Sequence, residues 1–131
     1  MNAIVRRHQG TIAITIGIRT VSEMNAREHW AKRRSRKVSQ QVLVAACCRA
    51  ALRDISLPCV VTLVRVRPPR GKVMDPDNYA SSWKHVQDAV AKLLGVDDGD
   101  TSRVSWVYGP QERGTDYAVR IEVRQRAEVA A

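Results

Sequence analysis

The spacing of apolar residues changes along this chain, and each spacing predicts a different element. Residues 11–18 alternate between the two faces of a strand and are rich in β-branched side chains. Residues 59–67 form a second β-branched run directly after Pro58. Two later runs, 103–108 and 116–123, are joined by a loop containing glycine and proline, which predicts an antiparallel hairpin.

Two other stretches have the three- and four-residue spacing of amphipathic helices. The first helix is expected to begin near Ala26, with Ser22 or Asn25 as its cap, and to run to about Asp54. Its inward-facing positions would be Val38, Val42, Ala45, Ala46, Arg49 and Leu52.

The second helix is expected to end at Leu94, with Gly95 terminating it. Either Asp77 or a serine, Ser81 or Ser82, would cap its start. Its apolar side would pack on the sheet through Tyr79, Trp83, Val86, Val90 and Leu93.

These elements follow one another in the order β-α-β-α-β-β, which predicts an α/β or α+β fold with a mixed sheet and two main helices. With 131 residues the chain is long enough for one domain, residues 1–131, with its own core. Residues 1–10 are polar and basic and are predicted to be a flexible leader, and residues 125–131 a flexible tail.

Charge is unevenly distributed. The net charge is +9, yet residues 1–74 carry fifteen Lys or Arg against three acids, and residues 75–131 carry seven against ten. A basic first half favours a nucleic-acid partner, although a generic solubilising charge is the alternative. No signal peptide is expected, because residues 1–10 are polar and basic. The sequence shows no apolar run long enough to cross a membrane and no zinc spacing among the three cysteines. A cytoplasmic protein with no membrane partner is expected.

The basic residues supply candidate phosphate contacts, which do not read bases. The candidates for DNA binding are Arg33, Arg34, Arg36, Lys37, Arg65, Arg67, Arg70 and Lys72. Trp30 lies beside the first of these, and it either packs in the core, which is the favoured interpretation, or stacks on a base.

The acidic residues are concentrated in residues 73–100, which hold six of the thirteen. Carboxylate oxygens are the ligands that Mg²⁺ and Mn²⁺ prefer. Asp75 and Asp77 would point the same way in an extended segment, and Asp97 and Asp98 return toward the sheet after the helix. Asp88 lies about 16 Å along the helix from Asp77, so it is expected to pair with Lys84 instead. The alternatives are a simple helix cap at Asp77 and a simple turn at Asp98.

The order of these residues resembles the RusA family of Holliday-junction resolvases. The matching pattern is Asp-x-Asp-Asn from Asp75, Lys-x-x-x-Asp-Ala from Lys84, and Leu-Gly-x-x-Asp-Asp ending at Asp98. Members of the family are small homodimeric, Mg²⁺-dependent endonucleases from phages and prophages that act in DNA recombination and repair. The resemblance implies metal binding by Asp75, Asp77 and Asp98 with Asp97 beside them. It also implies that Lys84 is the catalytic lysine and that Mn²⁺ can substitute for Mg²⁺.

Three features depart from the family pattern. Lys84 follows Asp77 by seven residues instead of four, which means either an extra helical turn or a longer entry capped by Ser81 or Ser82. Met74 replaces an arginine, and the chain has no phenylalanine to act as a wedge. The expected function is therefore a metal-dependent endodeoxyribonuclease acting on branched DNA. The alternatives are a branched-DNA-binding protein with impaired catalysis and a phosphohydrolase with another nucleic-acid substrate.

Overall fold

Six strands and three helices are present in the computed structural model, which describes residues 3–24 and 28–126. The helices are α1 (Trp30–Leu52), α2 (Pro76–Ser82) and α3 (Lys84–Leu94). The strands are β1 (Ala3–His8), β2 (Thr11–Ile16), β3 (Cys59–Arg67), β4 (Val104–Tyr108), β5 (Glu112–Arg113) and β6 (Ala118–Gln125). None of the described helices is long and apolar enough to span a membrane.

All six strands join one mixed sheet in the order β1-β2-β6-β3-β4, with β5 also paired to β3. Strand β3 is parallel to β4 and β5 and antiparallel to β6. The predicted run at 59–67 is confirmed to the residue. The fold is therefore a small mixed α+β domain, as the sequence predicts at that level.

The predicted hairpin between residues 103–108 and 116–123 is wrong. Both segments form strands, but β3 lies between them and pairs with each. The loop that joins them crosses the end of β3, where it contributes β5. Proximity in sequence suggested a direct pairing, whereas β3 satisfies the backbone groups of both strands.

The predicted flexible leader is also wrong over residues 3–8, because β1 pairs along its whole length with β2. Its side chains are mostly exposed, as expected for an edge strand with basic residues. At the other end, Gln125 belongs to β6, and the Arg126 guanidinium donates hydrogen bonds to Thr101 and Ser105. Residues 127–131 of the predicted tail lie outside the described residues.

Helix α1 packs on the sheet and on α3 through a face that shares only Leu52 with the predicted one. Its buried residues are Gln40, Val44, Cys48 and Leu52, which recur every four positions. Val38 and Val42, predicted to face inward, are 50% and 59% exposed. The helix carries two apolar rows, and only contact with the sheet decides which one is buried.

Helix α1 also starts later than predicted, at Trp30, with His29 as its cap: the His29 Nδ1 accepts a hydrogen bond from the Ala31 amide at 3.2 Å. Of the predicted caps, Ser22 instead bonds to Asn78, and Asn25 lies outside the described residues, as does the predicted start at Ala26.

The second predicted helix is broken in two at Trp83. Helix α2 ends there with a bend, and α3 begins at Lys84. The predicted apolar side is confirmed, since Tyr79, Trp83, Val86 and Val90 are buried. Gly95 ends α3 in the left-handed conformation (φ 71°), which a residue with a Cβ adopts only under strain.

One core holds these elements together. Alternate residues of β2, β3 and β6 face the buried residues of all three helices, and Trp83 lies at its centre with no exposed surface. All three cysteines are free thiols in or near this core. Cys48 and Cys59 are buried, and Cys47 is half-buried. Burial raises the pKa of the Cys48 thiol to about 12, so this thiol is unreactive at neutral pH.

Candidate functional site

Asp75 caps helix α2. Its carboxylate accepts hydrogen bonds from the Asn78 amide at 2.9 Å and from the Asn78 side chain at 2.7 Å. These bonds hold the pKa of Asp75 below its ordinary value. The cap is therefore Asp75 and not Asp77, Ser81 or Ser82, because the chain turns into the helix directly at Pro76. Asp77 is exposed in the first turn of the helix, so the two carboxylates do not belong to one extended segment.

Contacts from distant parts of the chain fix this corner. Gln111 accepts from the Met74 amide at 2.9 Å and donates to the Met74 carbonyl at 2.8 Å, which holds the residue before Asp75. Ser22 bonds to Asn78 and Ser81 on α2. Sequence reasoning missed Gln111, because a contact across 37 residues leaves no local signal.

Asp97 and Asp98 form a second acidic group together with Asp88. Trp106 donates its indole N–H to the Asp98 carbonyl at 2.9 Å, and this bond attaches the turn to β4. Hydrogen bonding to Asp97, desolvation and the charge of Asp88 raise the pKa of Asp98. The predicted Lys84–Asp88 ion pair is not among the ion pairs of the described residues. Asp88 instead belongs to the acidic group, because the turn after Gly95 folds back along α3.

Tyr108 is near Asp98 and also lines a cleft beside Asp75. Its ring is 6.4 Å from the Tyr79 ring, and its hydroxyl donates to Gln87 on α3 at 2.8 Å. Burial and the nearby Asp98 raise the pKa of Tyr108. Tyr79 and Tyr108 also line a cleft of about 310 Å³ with Met74 and Pro76, the two neighbours of Asp75.

The structure thus brings Asp97 and Asp98 together and places Asp75 next to Asp77, but it does not join the two groups. Within residues 3–24 and 28–126, no three His, Cys, Asp or Glu side chains form a set that could hold a metal ion. Oxygen donors of the type that Mg²⁺ prefers are present in each group.

Lys84 is exposed at the first position of α3. The three-residue difference in spacing is accommodated by the break at Trp83, so the helix is not continuous. The longer entry places Lys84 in the first turn of α3, as expected of that alternative, but neither Ser81 nor Ser82 caps this helix. The side chain lines a cleft of about 460 Å³ with Trp30 and Lys37 of α1.

Three of the predicted phosphate contacts are occupied by the protein itself. Arg36 is paired with Glu23 and Glu28, each at 2.8 Å. Arg65 is buried and donates to the Lys72 carbonyl at 2.8 Å and to Gln111 at 3.0 Å. Arg67 donates to the Gly71 carbonyl at 3.0 Å. Because their guanidinium groups are used to hold loops in place, we remove these three from the candidate DNA contacts.

The other five candidate cations are exposed. They are Arg33, Arg34 and Lys37 on α1 and Arg70 and Lys72 on the loop before Asp75. Trp30, for which the sequence favoured core packing, is 69% exposed at the start of the same helix. The core interpretation of Trp30 is therefore wrong, and its sequence neighbours, nearly all charged, were the better signal.

Comparison with models of known protein families and with curated proteins finds no match for this chain.

Proposed function

We propose that this protein binds nucleic acid through the exposed face of α1. Arg33, Arg34 and Lys37 lie on that helix, and Lys84 faces them across a cleft. The net charge of +9 favours a polyanionic partner and predicts binding that weakens steeply with salt. Contacts of this kind hold phosphates and position the protein without reading sequence.

We further propose that the protein is a metal-dependent endonuclease acting on branched DNA, of the crossover-junction type. The observation that carries this proposal is the group Asp88, Asp97 and Asp98 in an otherwise basic molecule. Hydrogen bonding to Asp97, desolvation and repulsion by Asp88 raise the pKa of Asp98 there. A divalent cation would relieve that repulsion, and exposed carboxylates suit Mg²⁺ or Mn²⁺ by donor chemistry.

In this proposal, Asp75, Asp77, Asp97 and Asp98 would supply carboxylate ligands. The two acidic groups would have to close on the cation, because no three such side chains of the described residues form a preformed site. Mg²⁺ bound here would supply an activated water and neutralise charge on the scissile phosphate. The Lys84 ammonium is exposed and would offset charge on a phosphate in the adjoining cleft. A homodimer would present two such sites, one for each strand of a symmetric junction.

A second candidate is a protein that binds branched DNA without cleaving it. The specific observation in its favour is that Asp75 is committed to capping α2, while the acids remain in two groups. This candidate uses the same basic surface, so binding measurements alone do not separate it from the nuclease.

The test is a cleavage assay on a labelled four-way junction and a linear duplex, each with Mg²⁺, Mn²⁺ or EDTA. The variant is Asp98→Asn, and its matched control is Asp54→Asn, which removes the same charge from an exposed position elsewhere. Paired nicks on the junction that require the metal and Asp98, but not Asp54, support the nuclease. Junction binding without nicks in either metal refutes it and leaves the binding protein.

A further inference from the structure

Trp30 is the most exposed of the large apolar residues among the described parts of the chain. Its indole is 5.4 Å from the His29 ring, tilted by 34°, and most of its surface is open to solvent. Tryptophan is enriched at binding interfaces because its large apolar ring gains contact there, so an exposed Trp30 is a candidate contact for a partner.

The surroundings of Trp30 are cationic. The cleft of about 460 Å³ is lined by Trp30 and by four cations, Arg33, Arg34, Lys37 and Lys84. Its one carboxylate, Glu23, is paired with Arg36, which it shares with Glu28, and lies 3.2 Å from the His85 Nε2. Arg34, Lys37 and Lys84 form no ion pair with any other described residue. The cleft therefore has an aromatic surface, and its lining carries four cations against one carboxylate.

This cleft continues toward the acidic group. Lys37 and Val38 also line a second cleft of about 580 Å³, which runs between α1 and α3 to Asp88 and Lys92. Asp88 and Lys92 in turn line a third cleft with Asp97 and Asp98. The three clefts thus neighbour one another between the exposed indole and the carboxylates, with cations along both helices.

We infer that the cleft around Trp30 holds an unpaired nucleotide of single-stranded DNA. The base stacks on the indole, and the flanking phosphates contact Arg34, Lys37 and Lys84. The inference rests on the proposed nucleic-acid function and adds to it the form of DNA that is bound. A base in a duplex is already stacked on both faces, whereas an unpaired base offers a free face to an aromatic side chain. The cleft volume lies within the range of sites that enclose a small ligand.

The test measures binding in EDTA, so that cleavage plays no part. The probes are a labelled oligo(dT) strand, an oligo(U) strand and a linear duplex of the same length, each titrated at several salt concentrations. The variants are Trp30→Ala, Trp30→Phe and Arg34→Ala. The control is Ile4→Ala, which removes an exposed apolar side chain from edge strand β1.

The stacking role predicts that Trp30→Ala weakens oligo(dT) binding about tenfold and duplex binding less than twofold. Trp30→Phe retains most of the affinity, and Ile4→Ala is unchanged. Trp30→Ala leaves the slope of log K against log salt unchanged because it removes no charge. Arg34→Ala lowers that slope by about 0.7 on a single strand.

Several results would overturn the inference. One is that Trp30→Ala binds oligo(dT) as tightly as wild type does. Another is that Trp30→Ala loses as much affinity for the duplex as for oligo(dT). Tighter binding of oligo(U) than of oligo(dT) would overturn the assignment to DNA. A change in sedimentation of Trp30→Ala without DNA would place the indole in an interface between copies. Absence of Mg²⁺-dependent nicking in a protein that passes this test would refute only the nuclease.

Discussion

The orientation of α1 decides which of its side chains meet DNA, and one pair of substitutions tests it. Val44 has no exposed surface, whereas Val42, two residues earlier on the same helix, is 59% exposed. Val44→Ala and Val42→Ala remove the same two methyl groups from opposite environments. Because the substitution and the helix are the same, a difference between the two losses in free energy of unfolding reflects burial.

The expected loss in the free energy of unfolding follows from that burial. Two buried methyl groups account for about 1.6 kcal/mol at roughly 0.8 kcal/mol each. The cavity left between α1 and the sheet raises the loss for Val44→Ala to about 2–3 kcal/mol. Val42→Ala loses little contact and gains helix propensity, so its free energy of unfolding stays within about 0.5 kcal/mol of wild type.

The assay is urea unfolding followed by far-ultraviolet circular dichroism. With a slope of about 1–3 kcal/mol per molar urea, Val44→Ala lowers the midpoint by roughly 1 M, and Val42→Ala does not move it measurably. A larger loss for Val42→Ala than for Val44→Ala would refute the orientation. Trp30, Arg34, Val38 and Val42 recur every four residues, so the proposed DNA surface would then face the core.

Three further predictions concern individual side chains. The pKa of Asp98, measured by NMR titration, falls toward its ordinary value in Asp97→Asn. Because folding raises the pKa of Asp98, the free energy of unfolding falls as the pH rises through that pKa. The fall is smaller in Asp97→Asn. Tyr79→Phe loses about 1–3 kcal/mol in urea unfolding, since the Tyr79 hydroxyl donates to the Gly109 carbonyl at 2.8 Å. In the folded protein iodoacetamide modifies Cys47 before Cys48, as peptide mass analysis would show, because Cys48 is buried with a raised pKa.

Local features were predictable where a single pattern dominated. The β-branched run at 59–67 has one interpretation, and the structure confirms it. Gly95 ends its helix as expected, and the apolar side around Trp83 is buried as expected. In each case the residues that specify the feature lie within a few positions of one another, so the sequence contains the whole cause.

Features that depend on distant partners were not predictable. Strand β1 is recognisable only beside β2, since its own side chains do not alternate: three apolar residues are followed by three basic ones. Nothing local shows that β3 separates β4 from β6. Asp88 meets Asp98 only because of the path of the chain after Gly95. At the candidate site the sequence supplied the acidic residues, while their division into two groups came from the fold.

The position of β6 has a consequence for biosynthesis. It follows every other described strand along the chain, yet it lies between β2 and β3 in the sheet. Before β6 leaves the ribosome, β2 is paired only with β1, and β3 is unpaired on the edge that β6 later occupies. Because β6 joins the two parts, the sheet is completed only after nearly all of the described chain has been translated. A nascent chain stalled before residue 118 would expose two open strand edges, which are the surfaces that chaperones and aggregating chains recognise.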